Sequence, residues 1–205
     1  MPDNASASLI RGQTFYGPTA TIPTAGESAS QEGFEKTFAD YNPTVTNGAK
    51  ALRSGASVYC RLVRNSSGIN LLPKRVVKYK STYYKKRVDG YCTLDFDNCA
   101  GVVDEHLPTA GVRDGDLFWI TYRGPTLVLT NLAGDGTNLH VQGVPIVALT
   151  AATSQATTAG RVQTYFVTSG ATVIGSQALQ RIGIAMSAKT TANTNADLLA
   201  DIFLA

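Results

Sequence analysis

Short extended segments, each closed off by turn residues, recur along this chain from Ser57 to Leu204. Val58, Cys60 and Leu62 alternate with Ser57, Tyr59 and Arg61, the period of a half-buried strand. Val76-Val77-Lys78-Tyr79 and Thr82-Tyr83-Tyr84 are β-branched and aromatic, the residues that pack best on a pleated surface. Leu117 to Tyr122 and Thr126 to Thr130 are separated by Arg123-Gly124-Pro125, a spacing that predicts a hairpin. Val144 to Leu149, Val162 to Val167, Ile182 to Met186 and Leu199 to Leu204 continue the series, with Gly, Pro, Asn and Asp between them. Helical signals are limited to short turns at Gly33 to Tyr41 and at Thr190 to Leu199, the latter capped by Asn195 or Asp197. The fold expected is all-β, a compact β-barrel or sandwich of short strands with an extended N-terminal arm.

The arm is expected over residues 1–45 and the β domain over 46–205. Gly12, Gly17, Pro18, Pro23, Gly26, Gly33 and Pro43 interrupt any regular element before residue 45, and no apolar period survives between them. Phe15, Tyr16 and Ile22 are candidate anchors on a chain that Pro and Gly keep extended. A disordered tail is the competing reading.

Composition bounds the function. The 205 residues are 43% hydrophobic, enough for one core with residues left over for an arm. Charged residues make up 16%, against roughly 25% in ordinary soluble domains. A surface so poor in charge suits a protein that hides its outside against copies of itself or a partner, although a Thr-rich extracellular domain has the same composition. No apolar run is long enough to span a bilayer as a helix, and Met1-Pro2-Asp3-Asn4-Ala5 lacks the basic, then apolar, pattern of a signal peptide. Folding in a cytoplasm is therefore expected. There Cys60, Cys92 and Cys99, odd in number and without a CxxC, read as reduced, mostly buried small hydrophobes.

Catalytic constellations are scarce. Asp95 and Asp97, with Asp104-Glu105-His106 close behind, have the chemistry of a general acid–base or weak cation site, but the spacing matches no specific loop. Asp114-Gly115-Asp116 and Gly134-Asp135-Gly136 lack the further ligands of a calcium loop and read as turns. Gly170 to Gly175 lacks the third glycine of a dinucleotide site. His106 and His140 stand apart from each other, so no metal or cofactor is expected. A binding protein rather than an enzyme follows, with a carbohydrate-active or hydrolytic β protein as the rival.

Charge is distributed unevenly. From Lys50 to Arg87 there are eleven basic residues and no acidic one. Within that window Lys74, Arg75, Lys78, Lys80, Lys85, Lys86 and Arg87 interleave with Tyr79, Tyr83 and Tyr84. Such a strand pair has the chemistry to dock on an acidic protein surface. It also has the means to bind nucleic acid by phosphate contacts and stacking, the lesser reading. Lysines that merely guard a sheet edge would look the same.

Two runs carry a resemblance. Ala100-Gly101-Val102-Val103-Asp104-Glu105 and Gly115 to Pro125, with Trp119 between Gly115 and Gly124, resemble the "AGV" and "GxxxWxxxxG" strands of capsid decoration or cement proteins of tailed bacteriophages. Arg181 to Met186 and Asp201 to Leu204 resemble the closing strands of that pattern, so that it covers roughly residues 95–205. The resemblance implies a virion structural protein that binds and stabilises the assembled shell, with the major capsid protein as partner and the capsid surface as location. Low surface charge and unpaired strand edges lead to the expectation of a homo-oligomer, and the resemblance puts a trimer ahead of a dimer, because decoration proteins often sit on local threefold axes. The long arm and the basic insert at residues 74–87 depart from the pattern and leave a tail or host-contact station open.

Overall fold

The structure, a computed structural model, describes residues 11–14, 32–42, 52–92, 98–130, 142–148, 159–164, 181–188 and 197–204. Among the described residues ten strands join one sheet: β1 (Glu35–Tyr41), β2 (Leu52–Asn65), β3 (Val76–Tyr79), β4 (Arg87–Tyr91), β5 (Cys99–Val103), β6 (Leu117–Leu129), β7 (Pro145–Ala148), β8 (Val162–Thr164), β9 (Arg181–Ala185) and β10 (Asp197–Phe203). The strand order is β1-β2-β4-β3-β5-β6-β10-β9-β7-β8. The all-β expectation holds.

A further pairing shapes this sheet. β2 also bonds antiparallel to β6, from Tyr59↔Arg123 to Arg64↔Leu117. The strands β2, β4, β3, β5 and β6 therefore close into a ring, which leaves none of the five with an open edge along its paired length. Their inward side chains, among them Val63, Val77, Val88, Val103, Phe118 and Ile120, form one buried cluster. The residues beside them on the same strands point the other way and are buried too. Val76 and Val102 join a second cluster with Val128, Ile146, Ile182 and Ile202. Leu62 and Trp119 join a third with Val58, Cys60 and Leu117, covered by Phe38. Burial on both faces explains why Leu117-Phe118-Trp119-Ile120 reads as a continuous apolar run rather than as an alternation.

Several sequence expectations need correction. The segment Gly33 to Tyr41 contains β1 rather than a helical turn; it pairs with β2 from Glu35↔Arg61 to Tyr41↔Leu52. Glu35–Tyr41 thus lies in the sheet, within the span expected to form the arm. The physical reason is Trp119, which would face water without Phe38 (centroids 5.3 Å) and Phe34 (6.3 Å). Arg123-Gly124-Pro125 does not reverse the chain. β6 runs through it, and β10 keeps constant register from Asp197↔Leu129 to Phe203↔Arg123. Gly124 makes this possible at φ +99°, where a Cβ would stand 2.4 Å from the Ser57 carbonyl oxygen. Phe118 and Trp119, adjacent on β6, point to opposite faces and join different clusters, and both are fully buried. Asp197 to Leu199, read as the end of a helical turn, open β10; the rest of that segment, 190–196, lies outside the described residues.

Candidate partner-binding tip and buried charge network

β3 and β4 are the strand pair expected from the basic stretch, and they pair antiparallel through Val77↔Tyr91 and Tyr79↔Val88. Thr82 to Tyr84 is not a strand but part of the connection between them, a single 3-10 turn at Ser81–Tyr83 followed by a second turn. Tyr83 N–H donates to the Lys80 carbonyl (2.9 Å) and Lys86 N–H to the Tyr83 carbonyl (3.0 Å). Lys85 takes φ +61°, a left-handed conformation that costs a residue with a Cβ of order 1 kcal/mol and persists where surroundings enforce it. They do so here: Arg64 N–H donates to the Lys86 carbonyl, and Gly33 leaves 3.3 Å between its absent Cβ and the Lys85 carbonyl oxygen.

The seven cations expected to meet a partner separate into two groups. Arg75 is buried, donates from Nη1 to the Ala159 carbonyl (2.9 Å) and lies over the Tyr91 ring. Arg87 donates from Nε to Glu32 Oε2 (3.0 Å), and Arg64 binds the other oxygen of the same buried carboxylate. Lys74 pairs with Asp197, Lys80 with Asp89 (3.8 Å), and Lys78 is half-buried. Arg75 and Arg87 therefore hold the fold. Lys85 and Lys86 are exposed, as are Tyr83 (42%) and Tyr84 (49%) between the same two strands. Arg87 supports the Tyr83 ring at 4.1 Å, Lys85 the Tyr84 ring at 5.7 Å, and Tyr79 meets Tyr84 edge-on at 4.9 Å. The tip is a cationic, aromatic projection whose side chains are already positioned. The proposed anchors Phe15, Tyr16 and Ile22 lie outside the described residues.

At the other candidate, Asp104, Glu105 and His106 follow β5. Asp95 and Asp97, which the sequence placed beside them, lie outside the described residues. Glu105 accepts from Arg53 Nη1 (3.0 Å) and Nη2 (2.9 Å), from Arg11 Nη2 (3.4 Å) and from the Leu127 backbone N–H (3.2 Å). Asp104 accepts from Arg11 Nε (3.0 Å) and Gly12 N–H (2.6 Å). Arg53 continues to Asp40, which Ser54 also caps at 2.7 Å. Side chains of Asp40, Asp104 and Glu105 are at most 1% exposed. Burial first, then the Arg11 charge, holds His106 below the ordinary imidazole range. Asp40, Asp104 and Glu105 thus share the two guanidinium groups of Arg11 and Arg53, and removing either arginine would leave buried carboxylates without their partner.

Cys60 is buried against Thr121, and burial pushes its thiol up to about 12. Among the described residues no group of three or more His, Cys, Asp and Glu is placed to hold a metal ion, and no helix is long and apolar enough to cross a membrane. Sequence reasoning missed Glu32, Asp40, Arg11 and Arg53 as partners in these networks, and the Cys92–Cys99 contact (Sγ to Sγ 2.9 Å). No protein-family model matches the chain, and no curated protein matches it.

Proposed function

We propose that the chain is a structural protein of a tailed-phage virion, of the decoration or cement type, that binds the assembled shell and does no chemistry. The observation that carries the reading is the β3–β4 tip, where Tyr83, Tyr84, Lys85 and Lys86 stand exposed on the connection between two paired strands. The resemblance over residues 95–205 and the low charge content support it. Lys85 and Lys86 steer the protein onto an acidic face of the major capsid protein, and the two tyrosines slow its release. A ligand that binds the assembled shell but not loose subunits stabilises the shell by mass action. Self-association into a trimer, ahead of a dimer, places three such tips around one axis.

Co-sedimentation with assembled heads of the virus that carries this chain, and with its free capsid subunits, tests the reading. The expected result is binding to heads only, weakening with salt, with the oligomer seen by light scattering. Equal binding to free subunits, or none to heads at any salt, overturns it. The exposed tyrosine pair beside two lysines also has the make-up of a stacking platform for single-stranded nucleic acid. Tyrosine quenching by a poly-dT oligonucleotide with a steep salt slope would favour that second reading.

A further inference from the structure

Cys92 closes β4 and Cys99 opens β5, two strands that flank β3 on either side. Cys92 N–H donates to the Val76 carbonyl (3.1 Å), and Cys99 stands opposite Lys78. Val76 and Lys78 lie on the same face of β3. Both thiols are drawn over that face, and their sulfurs come within 2.9 Å. That is inside the contact distance of two non-bonded sulfurs and within about 0.9 Å of a disulfide bond. Cys92 is buried and Cys99 half-buried.

We propose that Cys92 and Cys99 form a disulfide site: thiols as the structure stands, joined once the protein meets a disulfide oxidant. The pairing is set by the sheet, since hydrogen bonding to β3 holds both ends of the connection whether or not the bond exists. Cys99, the more accessible, attacks one sulfur of a small disulfide such as oxidised glutathione and releases one glutathione thiolate. Cys92, after losing its proton, attacks the Cys99 Sγ and displaces the second glutathione. Two protein thiols are oxidised and one glutathione disulfide is reduced to two thiols. Cys60 takes no part: it is fully buried against Thr121, and burial also keeps its thiol protonated. The bond would tie β4 to β5 across β3 and restrict the unfolded chain between them. This inference is independent of the function proposed above.

The test uses the full chain, purified under reductant and then equilibrated with oxidised glutathione. Samples are denatured with N-ethylmaleimide, digested and weighed. Labelled thiols are expected to fall from three to one, the remaining label on Cys60, with a linked Cys92–Cys99 peptide. Thermal midpoint is expected to rise by roughly 5 °C on oxidation and to be unmoved in C99S. C99S replaces the half-exposed partner and so keeps the buried Cys92 packing. Three labels after oxidation, a stable glutathione adduct on Cys99, or a crosslink through Cys60 would overturn the proposal.

Discussion

Arg11 and Asp104 are 93 positions apart in the chain, yet Arg11 Nε donates to Asp104 Oδ1 at 3.0 Å and the neighbouring Gly12 N–H to Oδ2 at 2.6 Å. A short piece of the N-terminal region is thereby bound to the end of β5 as a two-point clamp on one carboxylate. D104A leaves a guanidinium that is 6% exposed without its main partner. The expected cost is about 3 kcal/mol in urea unfolding, and limited proteolysis should then cut near Arg11 sooner than in the parent protein.

Phe38 covers Trp119, the single tryptophan of the chain. F38A should cost about 2 kcal/mol, less than for a fully buried phenylalanine because Phe38 is half-buried. Tryptophan emission should shift to longer wavelength as water reaches the ring. Removing residues 1–42 takes away Phe38 and Glu32 together and should prevent stable folding.

Lys85 separates stability from docking. K85G relieves a left-handed backbone and should raise the unfolding free energy by about 1 kcal/mol. The same variant removes a tip cation, so under the function proposed above association with assembled heads should slow and its salt dependence should flatten. A destabilised K85G would place the strain elsewhere in the turn.

His106 gives the protein an acid-sensitive component. Burial, then Arg11, keeps its folded pKa below the ordinary value, against the smaller pull of Asp104 and Glu105. The unfolded chain therefore binds a proton on this ring first as the pH drops. Its contribution is fully present above the unfolded value of about 6.5 and is lost as the pH falls through the folded one. The thermal midpoint of the parent protein should therefore fall relative to that of H106Q as the pH drops from neutrality.

The strands were legible where apolar and polar residues alternate, as at Val58 to Leu62, or where β-branched residues run together, as at Val76-Val77. β1 was not, because its inward residues are few: Phe38 sits among Glu35, Lys36, Thr37 and Asp40, and its partner Trp119 is remote in sequence. The turn predicted at Gly124-Pro125 failed for a tertiary reason. Glycine there answers the close approach of the Ser57 carbonyl rather than a chain reversal. The basic stretch was found by composition, but composition cannot tell Arg75, turned inward onto Tyr91, from Lys85, turned outward. The charge networks join Arg11, Asp40, Arg53, Asp104 and Glu105 across separations of 13 to 94 positions, with no local signal to announce them.

β6 bonds to β2 and β5 with its first half and to β10 with its second, without a break at Gly124. Mechanically it is a continuous beam shared by the closed ring and the β10-β9-β7-β8 extension. A pull on β10 along its own direction would load seven paired positions with β6 in shear, so they resist together. A pull on β8 would meet three paired positions with β7 and one bridge from Val162 to Thr130, fewer to break. Of these two strands, β8 should part at the lower force, and the rupture force at β10 would report how much load the beam can carry.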